Sequence, residues 1–159
     1  MARSRQYWLF KSEPSVFSIE DLARRGTESW DGVRNFQARN YMMTMQVGDL
    51  GFFYHSQATP PGIAGICKVV AIAHPDLTAQ NPKSPYYDSR ATAADPIWMM
   101  VDVGFVETFP RFISLEELKG TPGLKDMAVT RKGSRLSVQP VQKKEWDVIV
   151  RLARAEPLS

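Results

Sequence analysis

The run GIAGICKVVAIA, residues 62–73, carries a single charge, Lys68. It is too apolar for a surface loop and falls well short of the ~20 residues that a membrane-spanning helix needs. It follows a Pro60-Pro61-Gly62 turn, and its valines and isoleucines read as a long buried strand. IWMMVDVGFVETF (97–109) is a second long strand, with Ile97, Met99, Val101, Val103 and Phe105 on one side. DLGFFYHS (49–56) alternates, Leu50, Phe52, Tyr54 and Ser56 against Gly51, Phe53 and His55, and YWLFK (7–11) before Ser-Glu-Pro adds a short aromatic strand. Such strands, separated by short capped helices and not by regular crossover helices, predict an α+β fold: a mixed, strongly curved sheet or small barrel with helices packed around it.

The helices announce themselves by their caps. Ser18 and Asp21 form a capping-box pattern ahead of Ile19, Leu22 and Ala23, and Gly26 follows Arg24 and Arg25 as a stop. Asn35 can cap a second helix whose Ala38, Tyr41, Met42 and Met45 repeat at helical spacing as a core stripe. Ser114 and Glu117 cap a short SLEELK helix, and QKKEWDVIVRLA closes the chain with Trp146, Ile149, Val150 and Ala153 on its buried face. Residues 75–96, with four prolines, and most of 121–140 read as irregular.

At 159 residues the chain fits one domain spanning 1–159. The two arginines near the N-terminus precede an apolar run too short for a secretory signal, so a cytoplasmic protein without a membrane partner is expected, acting as a monomer. A single cysteine, Cys67 in the apolar run, excludes an internal disulfide and any multi-cysteine metal site. The net charge of +3 is unevenly spread: residues 111–159 carry ten basic and six acidic side chains, and Arg131, Lys132, Arg135, Lys143 and Lys144 are the densest cluster. Such a cluster reads equally as a solvated face or as an anion-binding surface.

Catalytic patterns are thin. His55 and Ser56 are adjacent, but neighbours in a strand point to opposite faces, and no G-x-S-x-G elbow is present. The P-C-x-x-C zinc-deaminase signature is absent, and His55, Cys67 and His74 are too dispersed for a transition-metal centre. No cofactor is expected. Gly62-Ile-Ala-Gly65 spells GxxG, which clamps nucleic-acid backbones in some modules, although close packing in a sheet is its commoner cause.

WDGVRNFQARN (30–40) is too polar for core and too aromatic for plain surface. On a helix beginning near Phe36, Asn35 and Arg39 project from one side at the rim of the core stripe, with Trp30 just before them in a turn. A flat aromatic beside directed amide and guanidinium groups suits a planar, hydrogen-bonding ligand such as a nucleobase. On this stretch alone, Trp30 as core and Asn35 as a mere cap is the simpler reading.

The motifs YWLFKSEP (7–14), FSIEDL (17–22), WDGVRNFQARN (30–40), FFYHS (52–56), GIAGICKVV (62–70), PYYD (85–88), WMMVDVGFV (98–106) and RLSVQPV (135–141) occur in an order that resembles the EVE domain family, from about Tyr7 to Ala153. The resemblance implies a PUA-like fold, a small mixed β-barrel flanked by short helices, and a non-catalytic reader of modified bases in DNA or RNA. It implies a pocket built from Lys11, Ser12, Trp30, Val33, Arg34, Asn35, Tyr54, His55, Ser56, Arg135, Leu136, Ser137, Val138 and Gln139. Trp30 is expected to stack on an extruded base, and Asn35, Ser12, Ser56 and the 136–138 backbone to read its edge. His55 or Gln139 would add a polar contact, while Arg39, Lys11, Arg131, Lys132 and Arg135 meet phosphates. Phe36 stands where a tyrosine is common in the family. Rival readings are an RNA-binding module for transfer or ribosomal RNA, and a nucleotide- or base-modifying enzyme using His55 as general base.

Overall fold

The computed structural model describes residues 4–155, so Arg3 of the N-terminal pair lies outside the described residues. In chain order it contains β1 (Tyr7–Ser12), α1 (Ile19–Arg25), β2 (Thr27–Ser29), α2 (Phe36–Thr44), β3 (Leu50–His55), β4 (Gly62–Pro75), β5 (Met99–Ser114), α3 (Leu115–Gly120), β6 (Val138–Val141) and α4 (Lys143–Arg154). Short 3-10 turns occupy Leu77–Gln80 and Ala128–Thr130. The caps act as their sequences require. Ser18 and Asp21 exchange both capping-box hydrogen bonds, Gly26 ends α1 at φ 85°, Asn35 accepts from the Ala38 N–H, and Ser114 accepts from the Glu117 N–H.

The strands form one sheet in the order β2-β5-β4-β3-β1-β6, antiparallel throughout except for the parallel pair β1–β3. β4 and β5 pair along most of their length through several bulges, each of which sharpens the local twist. β5 runs to Ser114, beyond the expected end at 109, because its last residues pair with Gly62 and Ile63. The two glycines of the GxxG permit this approach: a Cβ on Gly62 would lie 2.2 Å from the Ile113 carbonyl oxygen, and one on Gly65 2.3 Å from that of Glu107. That spacing therefore serves sheet packing.

Of the expected curved sheet or small barrel, the strand pairing gives a mixed six-stranded sheet that is not closed into a barrel. Among the described residues β2 and β6 remain the two edges of the sheet, and α2 packs across the gap against β6, β5 and β4. A helix whose Ala38 and Met42 are fully buried covers the opening that closure by hydrogen bonds would otherwise seal.

The curved sheet is buried on both faces. One face collects Phe10, Phe53, Trp30 and Val138 with residues of α1 and α2. The other collects Leu9, Phe52 and Tyr54 with Trp146 and Ile149 of α4 and with Leu124, Met127 and Val129. Trp146 stacks on Phe52 with centroids 3.9 Å apart. Cys67 is fully buried, and burial pushes its thiol up to about 12.

Candidate nucleic-acid interface

The parallel pairing of β1 and β3 brings their C-terminal ends side by side, Lys11 against Tyr54 and Ser12 against His55. The Ser56 N–H donates to the Ser12 carbonyl at 2.9 Å, and the Lys11 N–H donates to the Ser137 carbonyl at 2.8 Å. Segments 11–12, 54–56 and 136–138 thus meet at one end of the sheet. The alternation of strand side chains then divides them between its two faces.

On the α1/α2 face lie Ser12, Trp30, His55 and Val138. Ser12 Oγ donates to the Phe17 carbonyl. The Trp30 N–H donates to the Val101 carbonyl at 2.8 Å, and its ring meets Phe10, Phe17 and Phe53 in edge-on contacts with centroids 5.3, 6.5 and 5.6 Å away. Only 8% of Trp30 is exposed, which corrects the expectation of an open stacking face: three phenyl groups outcompete solvent for the indole. Val33 is buried in the same cluster, and Leu136 packs against it. His55 Nε2 accepts from the Ile19 N–H at 3.1 Å, at the start of α1. Burial lowers the pKa of His55, against the opposing influence of Glu20. A neutral imidazole with its Nε2 lone pair so engaged is poorly placed as a general base.

On the opposite face Lys11 Nζ lies 5.8 Å from the centre of the Tyr54 ring. Lys11 is partly buried, makes no ion pair among the described residues, and its pKa is lowered by desolvation. Burial likewise raises the pKa of Tyr54. Gln139, paired with Leu9, belongs to this face and is fully buried. Its Nε2 donates to the Leu136 carbonyl at 2.8 Å, which fixes the orientation of the amide, and Oε1 has no hydrogen-bond partner among the described residues.

The 30–40 stretch is organised by a residue that sequence reasoning missed, Asp76. It is fully buried and accepts from the Gly32 N–H at 2.9 Å, Arg34 Nη1 at 3.0 Å, the Thr78 N–H at 3.0 Å and Thr78 Oγ1 at 2.6 Å. Burial opposes its charge, but the hydrogen bonds from Thr78, Gly32 and Arg34 prevail and hold its carboxyl below the usual range. An Asp-x-Thr turn after proline was the available signal, yet its partner in the 30–40 stretch could not be read from it. Arg34 also donates twice to the Tyr86 carbonyl, so it clamps the 75–98 loop and is not free for a ligand. Asn35 spends its oxygen as a helix cap. Arg39 donates to the Ile97 carbonyl at 2.8 Å and to Asn40, which occupies much of the phosphate-contacting capacity expected of it.

The remaining basic residues stay accessible. Arg131, Lys132 and Arg135 are exposed, and none makes an ion pair among the described residues. A cleft of about 520 Å³ lies between Arg34, the 85–90 loop and Trp98.

Comparison with known proteins matches the EVE domain over residues 6–152. Thymocyte nuclear protein 1 of Mus musculus is 46% identical, across 95% of this chain and 75% of the mouse protein. A crystal structure of a protein from Pseudomonas syringae is 50% identical with a TM-score of 0.90, covering 92% of this chain and 99% of that one. Human THYN1 protein in complex with 5-methylcytosine containing DNA is 44% identical with a TM-score of 0.88, covering 96% of this chain and 99% of that one.

Proposed function

The chain belongs to the EVE domain family, and from that footing we propose that it is a nucleic-acid-binding protein that reads a modified base at the C-terminal ends of β1 and β3. The observation that carries this reading is the likeness, over nearly the whole of both chains, to human THYN1 protein in complex with 5-methylcytosine containing DNA. The chemistry of the strand ends supports it. Gln139 Oε1, without a hydrogen-bond partner among the described residues, is an acceptor, and the exocyclic amine of cytosine is a matching donor. Lys11, partly desolvated and without a carboxylate partner among the described residues, suits a phosphate or a polarised carbonyl. Ser56 and Ser137 stand beside them, and Trp30 serves as a wall behind the strand ends. Arg131, Lys132 and Arg135 lie along the phosphate path.

Extruding a base costs a few kcal/mol, so these phosphate contacts belong to the mechanism, and binding weakens as salt rises. The enzymatic rival is disfavoured because the His55 Nε2 lone pair is committed to α1.

Fluorescence anisotropy with matched oligonucleotides containing 5-methylcytosine or cytosine tests the reading. Wild type is expected to prefer the methylated strand, and Gln139→Leu to bind both weakly. Equal affinity for the two strands, or no binding to either, would remove the base-reading function. Ribose versions of the same oligonucleotides report whether a 2′-hydroxyl adds affinity, as an RNA target requires.

A further inference from the structure

Phe36, the first residue of α2, is 48% exposed although its ring lies flat on Trp98, with centroids 4.6 Å and planes 25° apart. Trp98 is buried and immobilised by its Nε1, which donates to Asp88 at 2.9 Å. The Arg39 guanidinium sits 4.8 Å from the Phe36 centroid, held by the Ile97 carbonyl. Ile97 has φ 59°, a conformation that a β-branched residue rarely adopts, within a tight turn closed by the Trp98 N–H and the Pro96 carbonyl. That turn leads directly into Trp98 and presents the carbonyl that holds Arg39. Beyond Trp98, Arg34 lies 5.4 Å from its ring centroid and 5.7 Å from that of Tyr86, which is itself 39% exposed. Phe36 stacked on Trp98, with Tyr86 across Arg34, therefore makes one surface strip whose aromatic ends, Phe36 and Tyr86, are exposed.

The charges along this strip are layered. In the Arg34–Asp76 pair the side-chain exposures are 23% and 0%, and in the Arg90–Asp88 pair they are 66% and 15%. In both pairs the carboxylate is the more deeply buried member; Arg34 is spent on holding the 75–98 loop, and Arg90 is the cation that faces outward, at the cleft it lines with Tyr86 and Trp98. Exposed aromatic planes beside an outward cation match a single nucleic-acid strand, whose bases stack on the rings while a phosphate meets the Arg90 guanidinium.

We propose that Phe36 and Tyr86 form a stacking platform for unpaired bases of the same strand whose modified base is read at the β1 and β3 strand ends, with Arg90 meeting a phosphate between the platform bases. The proposal rests on the nucleic-acid reading above and adds a second contact surface to it. The platform makes single-stranded or locally opened nucleic acid the preferred target.

The test uses the full chain and fluorescent single-stranded 5-methylcytosine oligonucleotides, intact or with abasic residues in place of the bases on both sides of the modified base. Phe36→Leu keeps an apolar cover over Trp98 but removes the aromatic face, and Phe36→Trp restores it. Wild type is expected to lose about 10-fold in affinity on the abasic strand. Phe36→Leu should bind the intact strand with a similar loss and show no further abasic penalty, while Phe36→Trp behaves as wild type. A wild type that binds but is indifferent to the abasic residues overturns the platform and leaves the base-reading function standing. A Phe36→Leu protein that retains the full abasic penalty also overturns it. A wild type that binds none of these strands overturns both readings.

Discussion

Asp76 and Arg34 stand 42 positions apart in the sequence and 3.0 Å apart in the fold, with the carboxylate sealed from solvent and the guanidinium partly open to it. The pair fastens the 75–98 loop to the turn before α2, and the Gly32 N–H and Thr78 share the same carboxylate. Removing one member of a buried pair strands the other, at a cost of about 3–5 kcal/mol. Asp76→Ala is therefore expected to lose about 3 kcal/mol in urea denaturation. A loss below about 1 kcal/mol would show that the loop is held by other contacts.

Trp30 packs edge-on against Phe10, Phe17 and Phe53, so its truncation is first a core mutation. Trp30→Ala should destabilise the fold by about 3–5 kcal/mol, and its effect on oligonucleotide binding becomes interpretable only at temperatures where the variant is folded. A variant of near wild-type stability would mean that the ring contributes little to the core and is free for a ligand.

Lys11 is a partly desolvated ammonium with no ion-pair partner among the described residues, so replacing it by an apolar side chain of similar length removes a penalty and not a support. Lys11→Met is expected to melt at or above the wild-type temperature. It should bind oligonucleotides more weakly and lower the slope of log K against log salt by about 1. An unchanged slope would take Lys11 off the phosphate path.

Lys132→Glu combined with Arg135→Glu probes the other end of that path. Both side chains are exposed, so stability should change by less than about 0.5 kcal/mol while the salt slope flattens. An unaltered slope would move the phosphate contacts elsewhere.

His55 gives stability a pH dependence whose sign follows from its lowered pKa. Above the ordinary value of 6.5 the imidazole is neutral in both states. Below it the unfolded chain takes up a proton that the folded ring resists, because the ring is half-buried and its Nε2 accepts from the Ile19 N–H. Stability contributed by this site is present above that value and lost as pH falls from it towards the folded pKa. Thermal melts between about pH 7.5 and about pH 5.5 should show the decline, and His55→Gln, which can still accept that hydrogen bond, should flatten it. Equal pH profiles for the two proteins would place the dependence on another group.

Much of this architecture was legible because it is locally encoded. Ser18, Asn35 and Ser114 cap the helices that their spacing announces, and the alternation of Phe52, Phe53 and Tyr54 by itself assigns neighbours to opposite faces. Two short strands escaped notice: β2, Thr27–Ser29, and β6, Val138–Val141, have little apolar pattern of their own and exist because β5 and β1 offer them edges. The candidate site was legible only as a set of segments. That Lys11 and Gln139 share one face, that Trp30 and His55 share the other, and that Asp76 organises the turn before α2 depends on register and packing.

By itself the chain of residues determined the caps, the strand periodicities and the family to which the protein belongs, since each is written in nearby positions or in the motifs themselves. Tertiary structure decided that α2, and not a strand pairing, spans the open side of the sheet, that Trp30 is enclosed, and that Phe36 is left open on Trp98. The reason is physical: whether an aromatic ring meets phenyl edges or solvent depends on which distant segments compete for its surface, and that competition is resolved only when the whole fold is assembled.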